Sequence, residues 1–460
     1  MEQRIERDSL GEVAVPVNVH WGAQTQRSLI NFPFGPRETM PLDIIHALAR
    51  IKQAAAHVNR RHGLAPELSD AIATSAREVA EGLHDDQFPL AIWQTGSGTQ
   101  SNMNVNEVIA SRANEILTGK RGGKSPVHPN DHVNQHQSSN DSFPTALHIA
   151  TALAVEQRLI PALDLMHARL ADASREWADI VKIGRTHLQD ATPITLGQEF
   201  SGYASQLTKC RARITATIAA DILPLAQGGT AVGTGLNAPP GFADEMAKAL
   251  SGLTGLRLRP ADNPFEALAS NDPLAQFAAT LGTLAVALTK IANDIRLLGS
   301  GPRLGLGELE LPANEPGSSI MPGKINPTQC EMLTMVCAQV LGNQQAVAMG
   351  AMQGHLELNV FKPMIGAAVL RSIDLLAIGI DGFTRHCLEG LAPNRARIAE
   401  LLGQSLMLVT ALVPAIGYDQ AARIALHAHE TGMTLRDAAV ASGAITGSEF
   451  DDLVRPEQMI

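Results

Sequence analysis

From about Leu42 onward, apolar residues return at three- and four-residue steps, the period of an amphipathic helix. The segment Leu42–Arg61 sets Ile44, Ile45, Leu48, Ile51 and Ala55 on one stripe, and Gly63 closes it. A shorter helix is predicted over Asp70–Leu83. Three longer patterns follow, at Pro144–Trp177, Gln198–Leu225 and Asp272–Leu298, with apolar residues on more than one face, and two more run over Pro327–Gln353 and Met364–Leu391. A helix of about 28 residues is about 42 Å long, more than a small domain is wide. Such rods suit a bundle, and their wide apolar faces call for other subunits to complete the burial. After Leu391 the pattern shortens, with Pro393 and helices predicted near Arg395–Gly403, Tyr418–Gly432 and Thr434–Ser442. Before Leu42, Pro16, Pro33 and Pro36 predict irregular chain with one hairpin. The expected fold is mainly α, in three domains: 1–137, a central long-helix bundle over 138–391, and a small helical domain over 392–460.

Composition narrows the functional classes. At 45% hydrophobic and 18% charged residues the chain is globular rather than disordered. Its net charge of −10 argues against a nucleic-acid partner. Aromatics make up only 3%, which favours close helix packing over aromatic-rich sheets. Cys210, Cys330, Cys337 and Cys387 show neither a CxxC pair nor zinc spacing, as expected of thiols in a reducing, cytoplasmic setting. The first residues hold no apolar leader, and no run of 18 apolar residues lacks a polar break, so neither secretion nor a membrane partner is expected.

Three polar clusters lie just before helical patterns. Gly96-Ser97-Gly98-Thr99 precedes Gln100–Leu117, with Thr99 as the expected N-cap. Ser138-Ser139-Asn140-Asp141-Ser142 precedes a helix with Pro144 expected in its first turn. The third, Ser318-Ser319-Ile320-Met321-Pro322-Gly323-Lys324-Ile325-Asn326, offers Asn326 as a cap and Pro327 as first helical residue. Ordinary capping explains any one of them. Each is also a potential carboxylate or phosphate cradle, and the surplus hydroxyls with Lys324 favour that use. The third cluster ends Gly299–Gly323, a glycine- and proline-dense stretch of a length found in compact domains either as a functional loop or as a disordered linker, and Ser318, Ser319 and Lys324 at its end favour function. Thr186-His187 lies on a loop where the imidazole is either structural or a proton carrier.

Other patterns point nowhere. Gly123-Lys124-Ser125 lacks the earlier glycine of a phosphate loop. His128, His132 and His136 have ligand spacing only on a helix, which Pro129 disfavours, so no metal is expected. Gly228, Gly229, Gly233 and Gly235 do not open a dinucleotide unit.

The run Gly317–Pro327 (GSSIMPGKINP) resembles the signature of the fumarase/aspartase superfamily, as do Gly96–Glu107 (GSGTQSNMNVNE), His128–Val133 (HPNDHV), Gln137–Asp141 (QSSND), Gly184–Leu188 (GRTHL) and Phe450–Met459 (FDDLVRPEQM). Thr328-Gln329-Cys330-Glu331 and Ser138-Ser139-Asn140 are most similar to the iron-free class II fumarate hydratases, with aspartate ammonia-lyases next. A non-catalytic, crystallin-like relative is the alternative of another class, and the joint presence of Ser318, Lys324 and His187 speaks against it. The resemblance implies a homotetramer around a twenty-helix core, five helices per subunit, with active sites shared among three subunits and no cofactor or metal. It implies the tricarboxylic acid cycle reaction, reversible hydration of fumarate to L-malate.

By that resemblance Ser318 is the base, activated by Lys324 and loop amides, and His187 handles water or hydroxide with Glu331 assisting. Ser97, Gly98, Thr99, Ser138, Ser139, Asn140, Thr186, Ser319, Lys324, Ile325 and Asn326 hold the two carboxylates. His128, Pro129, Asn130 and Asp131 match a secondary dicarboxylate site, with Ser125 where the family often has a basic residue. His132 and His136 depart from the family pattern and are given no role.

Overall fold

The computed structural model describes residues 2–460. The chain divides into two compact units, Met1–Pro161 with Cys210–Ala285 and Cys337–Ala377, and Ala162–Lys209 with Val286–Val336 and Ile378–Ile460.

The first unit opens with an antiparallel hairpin, β1 (Gln3–Asp8) and β2 (Gly11–Pro16), followed by α1 (Ala23–Asn31), α2 (Leu42–Arg60), α3 (Pro66–Ala80) and α4 (Thr99–Thr118). The α2 stripe is buried as its period requires, with Ile44, Leu48, Ile51, Ala55 and Val58 fully covered. The helix predicted from Asp70 begins earlier because Pro66 fits its first turn. Gly22 offers no capping side chain to α1. Glu107 of α4 caps it from a distance, accepting from the Gly22, Gln24 and Thr25 amides at 2.8–3.1 Å and from Thr25 Oγ1 at 2.6 Å. Burial raises the Glu107 pKa while these donors oppose the rise.

Five long helical runs carry the expected bundle: α5 (Ser139–Ala154) with α6 (Ile160–Glu176), α7 (Leu196–Thr217), and, beyond the shorter α8 (Phe242–Thr254) and α9 (Pro264–Ala269), α10 (Asp272–Leu298), α11 (Thr328–Ala351) and α12 (Lys362–Phe383). The chain passes between units inside α6, α7, α10, α11 and α12. π-Helical segments join α5 to α6 at Val155–Leu159 and continue α7 at Ile218–Ile222 and α12 at Thr384–Leu388. Helix α5 starts at Ser139, ahead of the predicted Pro144, which sits inside the helix rather than in its first turn. Small residues permit close packing: a Cβ on Gly366 of α12 would lie 2.4 Å from Leu147 Cδ2 of α5.

The runs Asp272–Leu298 and Lys362–Leu388 are long and apolar enough to cross a bilayer, a match the expectation of polar breaks missed. Most of each is already buried inside the protein, 61% and 67% of the apolar window.

In the second unit a hairpin of β3 (Val181–Thr186) and β4 (Gln189–Thr195) contributes Ile183 to an apolar cluster with Leu412, Ile424, Ala438 and Phe450. That cluster is built by α13 (Arg395–Gln404), α14 (Val413–Ile416), α15 (Tyr418–Thr431), α16 (Leu435–Ala441), α17 (Gly447–Leu453) and the 3₁₀ segment Leu406–Leu412.

Candidate active site

In the first unit the turn before α4 is set by its glycines. Gly98, rather than the predicted Thr99, is the N-cap, with φ +77°, and a Cβ there would lie 2.3 Å from the Phe143 ring. Thr99 is the first helical residue, so its hydroxyl is not spent on capping; it lies 2.8 Å from the buried Ser97 Oγ. Gln94 and Gln100 tie the turn down, through Ser101 N at 3.1 Å and Thr95 N at 2.8 Å. Asn102 joins this cluster to the next by donating to Ser139 Oγ at 3.0 Å.

Ser138 is a true capping residue. Its Oγ accepts from Asn140 N, while Asp141 returns a carboxylate to Ser138 N at 2.9 Å. The other Asp141 oxygen accepts from Gly228 N and Thr230 N, both at 3.0 Å, and Asn140 Nδ2 donates to Ala231 O at 2.8 Å. The glycine-rich stretch with no expected role is thus the strap around the α5 start. Asp141 is fully buried, which raises its pKa to about 6 against the pull of three amides and Lys52. Lys52, also buried, donates to Asn134 Oδ1 and Gln137 Oε1, and desolvation lowers its pKa to about 7.

The turn His128–Asp131 uses its own amides. Asn130 N and Asp131 N donate to His128 Nδ1 at 3.2 and 3.1 Å, and Pro129–Val133 forms one π-helical turn. Burial lowers the His128 pKa, with Asp131 opposing. His132 Nδ1 accepts from His128 N, and His136 Nδ1 lies 2.9 Å from Asn59 Oδ1. These two rings support the turn and its surroundings.

In the second unit Thr186 ends β3 and pairs with Gln189, leaving His187 and Leu188 as a two-residue turn. Their φ values, +56° and +59°, give the geometry of a type I′ turn, which favours Asn and Gly. The imidazole therefore projects from a strained hairpin tip.

The Gly317–Asn326 loop closes on itself. Gly317 N donates to Lys324 O at 2.9 Å and Asn326 Nδ2 donates to Gly317 O at 2.7 Å. Asn326 thus staples the loop instead of capping α11, which starts at Thr328. Ser318 Oγ accepts from Ile320 N at 3.3 Å and Met321 N at 3.0 Å. Two amides aimed at one hydroxyl oxygen stabilise negative charge there. Ser319, Lys324 and Ile325 are exposed, and Glu331 lies in the first turn of α11.

Residues 11–342 match the family model described as Lyase, and 408–460 match that of the Fumarase C C-terminus. The chain is 60% identical over 461 residues to the class II fumarate hydratase of Methylorubrum extorquens, covering 100% of this chain and 97% of that one. Fumarate hydratase 1, mitochondrial, of Arabidopsis thaliana is 58% identical, over 99% of this chain and 93% of its own. The chain belongs to the class II fumarate hydratase family. Its fold is shared with recombinant class II fumarase from Schistosoma mansoni, at a TM-score of 0.97 and 48% identity over 100% of this chain and 99% of that one.

Within this fumarate hydratase chain each unit gathers its own clusters: Ser97, Thr99 and Ser138–Asn140 in the first; Thr186, His187 and Ser318–Asn326 in the second. Sequence reasoning missed the supports: Asn102, Lys52, and the strap held by Asp141. Asn102 had a signal, lying three residues after Thr99 and so on the same helical face.

Proposed function

We propose that the chain interconverts fumarate and L-malate by acid–base chemistry of its own side chains. The observation that carries this reading is the Ser318 oxygen held under two loop amides. A serine hydroxyl is a weak acid, and these donors with Lys324 lower the cost of its alkoxide. From malate, the Ser318 oxygen takes a proton from the carbon next to one carboxylate. The electron pair left behind spreads into that carboxylate, then forms the double bond as hydroxide leaves. His187 delivers the proton that turns the hydroxide into water, and Glu331 orients or balances the imidazole. Hydration runs the same steps backwards.

Ser97, Gly98, Thr99, Ser138, Ser139, Asn140, Thr186, Ser319, Lys324, Ile325 and Asn326 bind the two carboxylates in this reading. Hydroxyls, amides and one ammonium suit a small dianion. His128, Pro129, Asn130 and Asp131 form a secondary dicarboxylate site. The units combine in a homotetramer whose active sites draw on three subunits. Exposed Val286, Met335, Met349 and Ile378 on α10, α11 and α12 support such an assembly. The three-domain division, 1–137, 138–391 and 392–460, and a cytoplasmic location belong to the same reading.

The test is absorbance at the fumarate band with L-malate, then L-aspartate, supplied to the purified enzyme. Fumarate forming from malate alone is expected; fumarate from aspartate, or from neither, refutes the assignment.

A further inference from the structure

Glu308 takes no part in the reaction above, yet its carboxylate is buried, 1% exposed, between two cations of a single strand. Lys182 Nζ lies 2.9 Å from Oε2 and Arg185 Nη2 lies 2.7 Å from Oε1. These contacts are ion pairs rather than aligned hydrogen bonds. Lys182 has a second carboxylate, Glu199, at 2.7 Å. Arg185 Nη1 is buried with no hydrogen-bond partner, so Glu308 is the counter-charge on which Arg185 depends.

The backbone of Glu308 is anchored too. Its N–H donates to Leu298 O, where α10 ends, and its carbonyl accepts from Asn394 N, both at 2.9 Å. Arg185 stands two residues before His187 on β3, and Glu308 stands ten residues before Ser318 on the loop leaving α10. One carboxylate therefore joins the strand that ends in the imidazole to the base of the loop that bears the alkoxide. A buried ion pair is poor value as a source of stability, since apolar residues of similar size do as well. It does fix register, because only one arrangement satisfies every charge.

We propose that Glu308 is a positioning residue. By clamping Lys182 and Arg185 it fixes the strand leading to His187 to the root of the loop leading to Ser318, so both proton-handling groups of a chain are held in place through one carboxylate. The inference rests on the fumarate–malate reading, and the experiment separates the two.

The full-length enzyme is assayed in both directions as wild type, Glu308→Gln, Arg185→Gln and the double variant, well below each melting temperature. Glu308→Gln is expected to lower kcat about 10- to 100-fold, the effect of misplacing reacting groups by about an ångström. KM is expected to rise by less than kcat falls, no more than about five-fold, because Thr186 and Ser319–Asn326 ride on the displaced hairpin and loop while the first unit's carboxylate-binding clusters are untouched. Removing the stranded cation as well, in the double variant, is expected to restore part of kcat. If Glu308→Gln does not fold, Arg185→Gln carries the test, with kcat again expected to fall by more than KM rises. Wild-type kcat in a folded single variant overturns the proposal and leaves the assigned reaction standing. So does a loss confined to melting temperature. A wild-type enzyme that makes no fumarate from malate overturns both.

Discussion

Replacing Lys362 with Met should remove a specific part of the pH dependence of folding. Lys362 is fully buried, with Nζ donating to Leu268 O at 2.7 Å, and its own amide donates to Gly96 O at the edge of the candidate site. Burial lowers the ammonium pKa from 10.5 to about 7, against the opposing pull of Asp141. The unfolded chain keeps this proton up to pH 10.5 while the folded chain releases it near 7. Between those values the unfolded state binds more protons, so stability rises with pH. Below about pH 7 the group costs its full amount, about 5 kcal/mol at 1.36 kcal/mol per pH unit. At pH 9 the remaining cost is about 2 kcal/mol, so the wild type gains about 2–3 kcal/mol from this group between pH 6 and pH 9. Lys362→Met loses the bond to Leu268 O, at about 1–3 kcal/mol, but carries no such slope. Urea unfolding of both proteins at pH 6 and pH 9 gives the double difference, in which groups that do not sense Lys362, Lys52 among them, cancel, while Asp141 and His148, which do sense it, leave a smaller residue. A wild-type gain exceeding the variant's by about 2–3 kcal/mol is expected. Equal gains would refute the buried charged lysine and the sign worked out for it.

Further outcomes test the site directly. Ser318→Ala should lower kcat by about 10²–10⁴-fold and shift stability by less than about 1 kcal/mol, because its loop is exposed; steady-state turnover near wild type would remove the serine from the base role. His187→Asn should cost at least about 10²-fold in turnover without lowering the thermal midpoint, since Asn is at ease in the left-handed turn the imidazole strains; a marked drop in midpoint contradicts the turn geometry. Gly98→Ala meets both a positive φ, at about 1–2 kcal/mol, and the Phe143 ring, at about 1–3 kcal/mol. Denaturation should therefore show a loss of about 2–5 kcal/mol, and a loss below 1 kcal/mol would exclude the clash.

Periodicity reached the long elements well. The helix predicted over Asp272–Leu298 has those same ends, because Asp272 opens it beside Pro273 and Gly299 follows its last residue. Local rules failed where two residues competed for one job. Thr99 is the better capping side chain by type, yet the left-handed backbone needed at 98 admits glycine with least strain and shifts the helix start by one residue. Asn326 had an equally good claim to cap α11, but the nearby carbonyl of Gly317 takes its amide. Contacts spanning many residues left no local trace: Glu107 capping α1, Asp141 gripping Gly228 and Thr230, and Glu308 meeting β3. The His187–Leu188 turn was hidden for another reason, as neither residue favours the conformation it adopts.

The π-helical segments after α5, α7 and α12 have a geometric consequence. Each slips one additional residue into the winding, and a single residue turns the chain by about 100° around the axis. Only Val155–Leu159 has a helix on both sides, and there the greasy edges of α5 and α6 fall on different sides of the common winding; the segments after α7 and α12 end their rods. The joined α5–α6 rod can lean on two neighbours at different compass bearings without being oily all the way round. Deleting one residue from Val155–Leu159 would swing the whole of α6 off its bearings while leaving its composition almost unchanged.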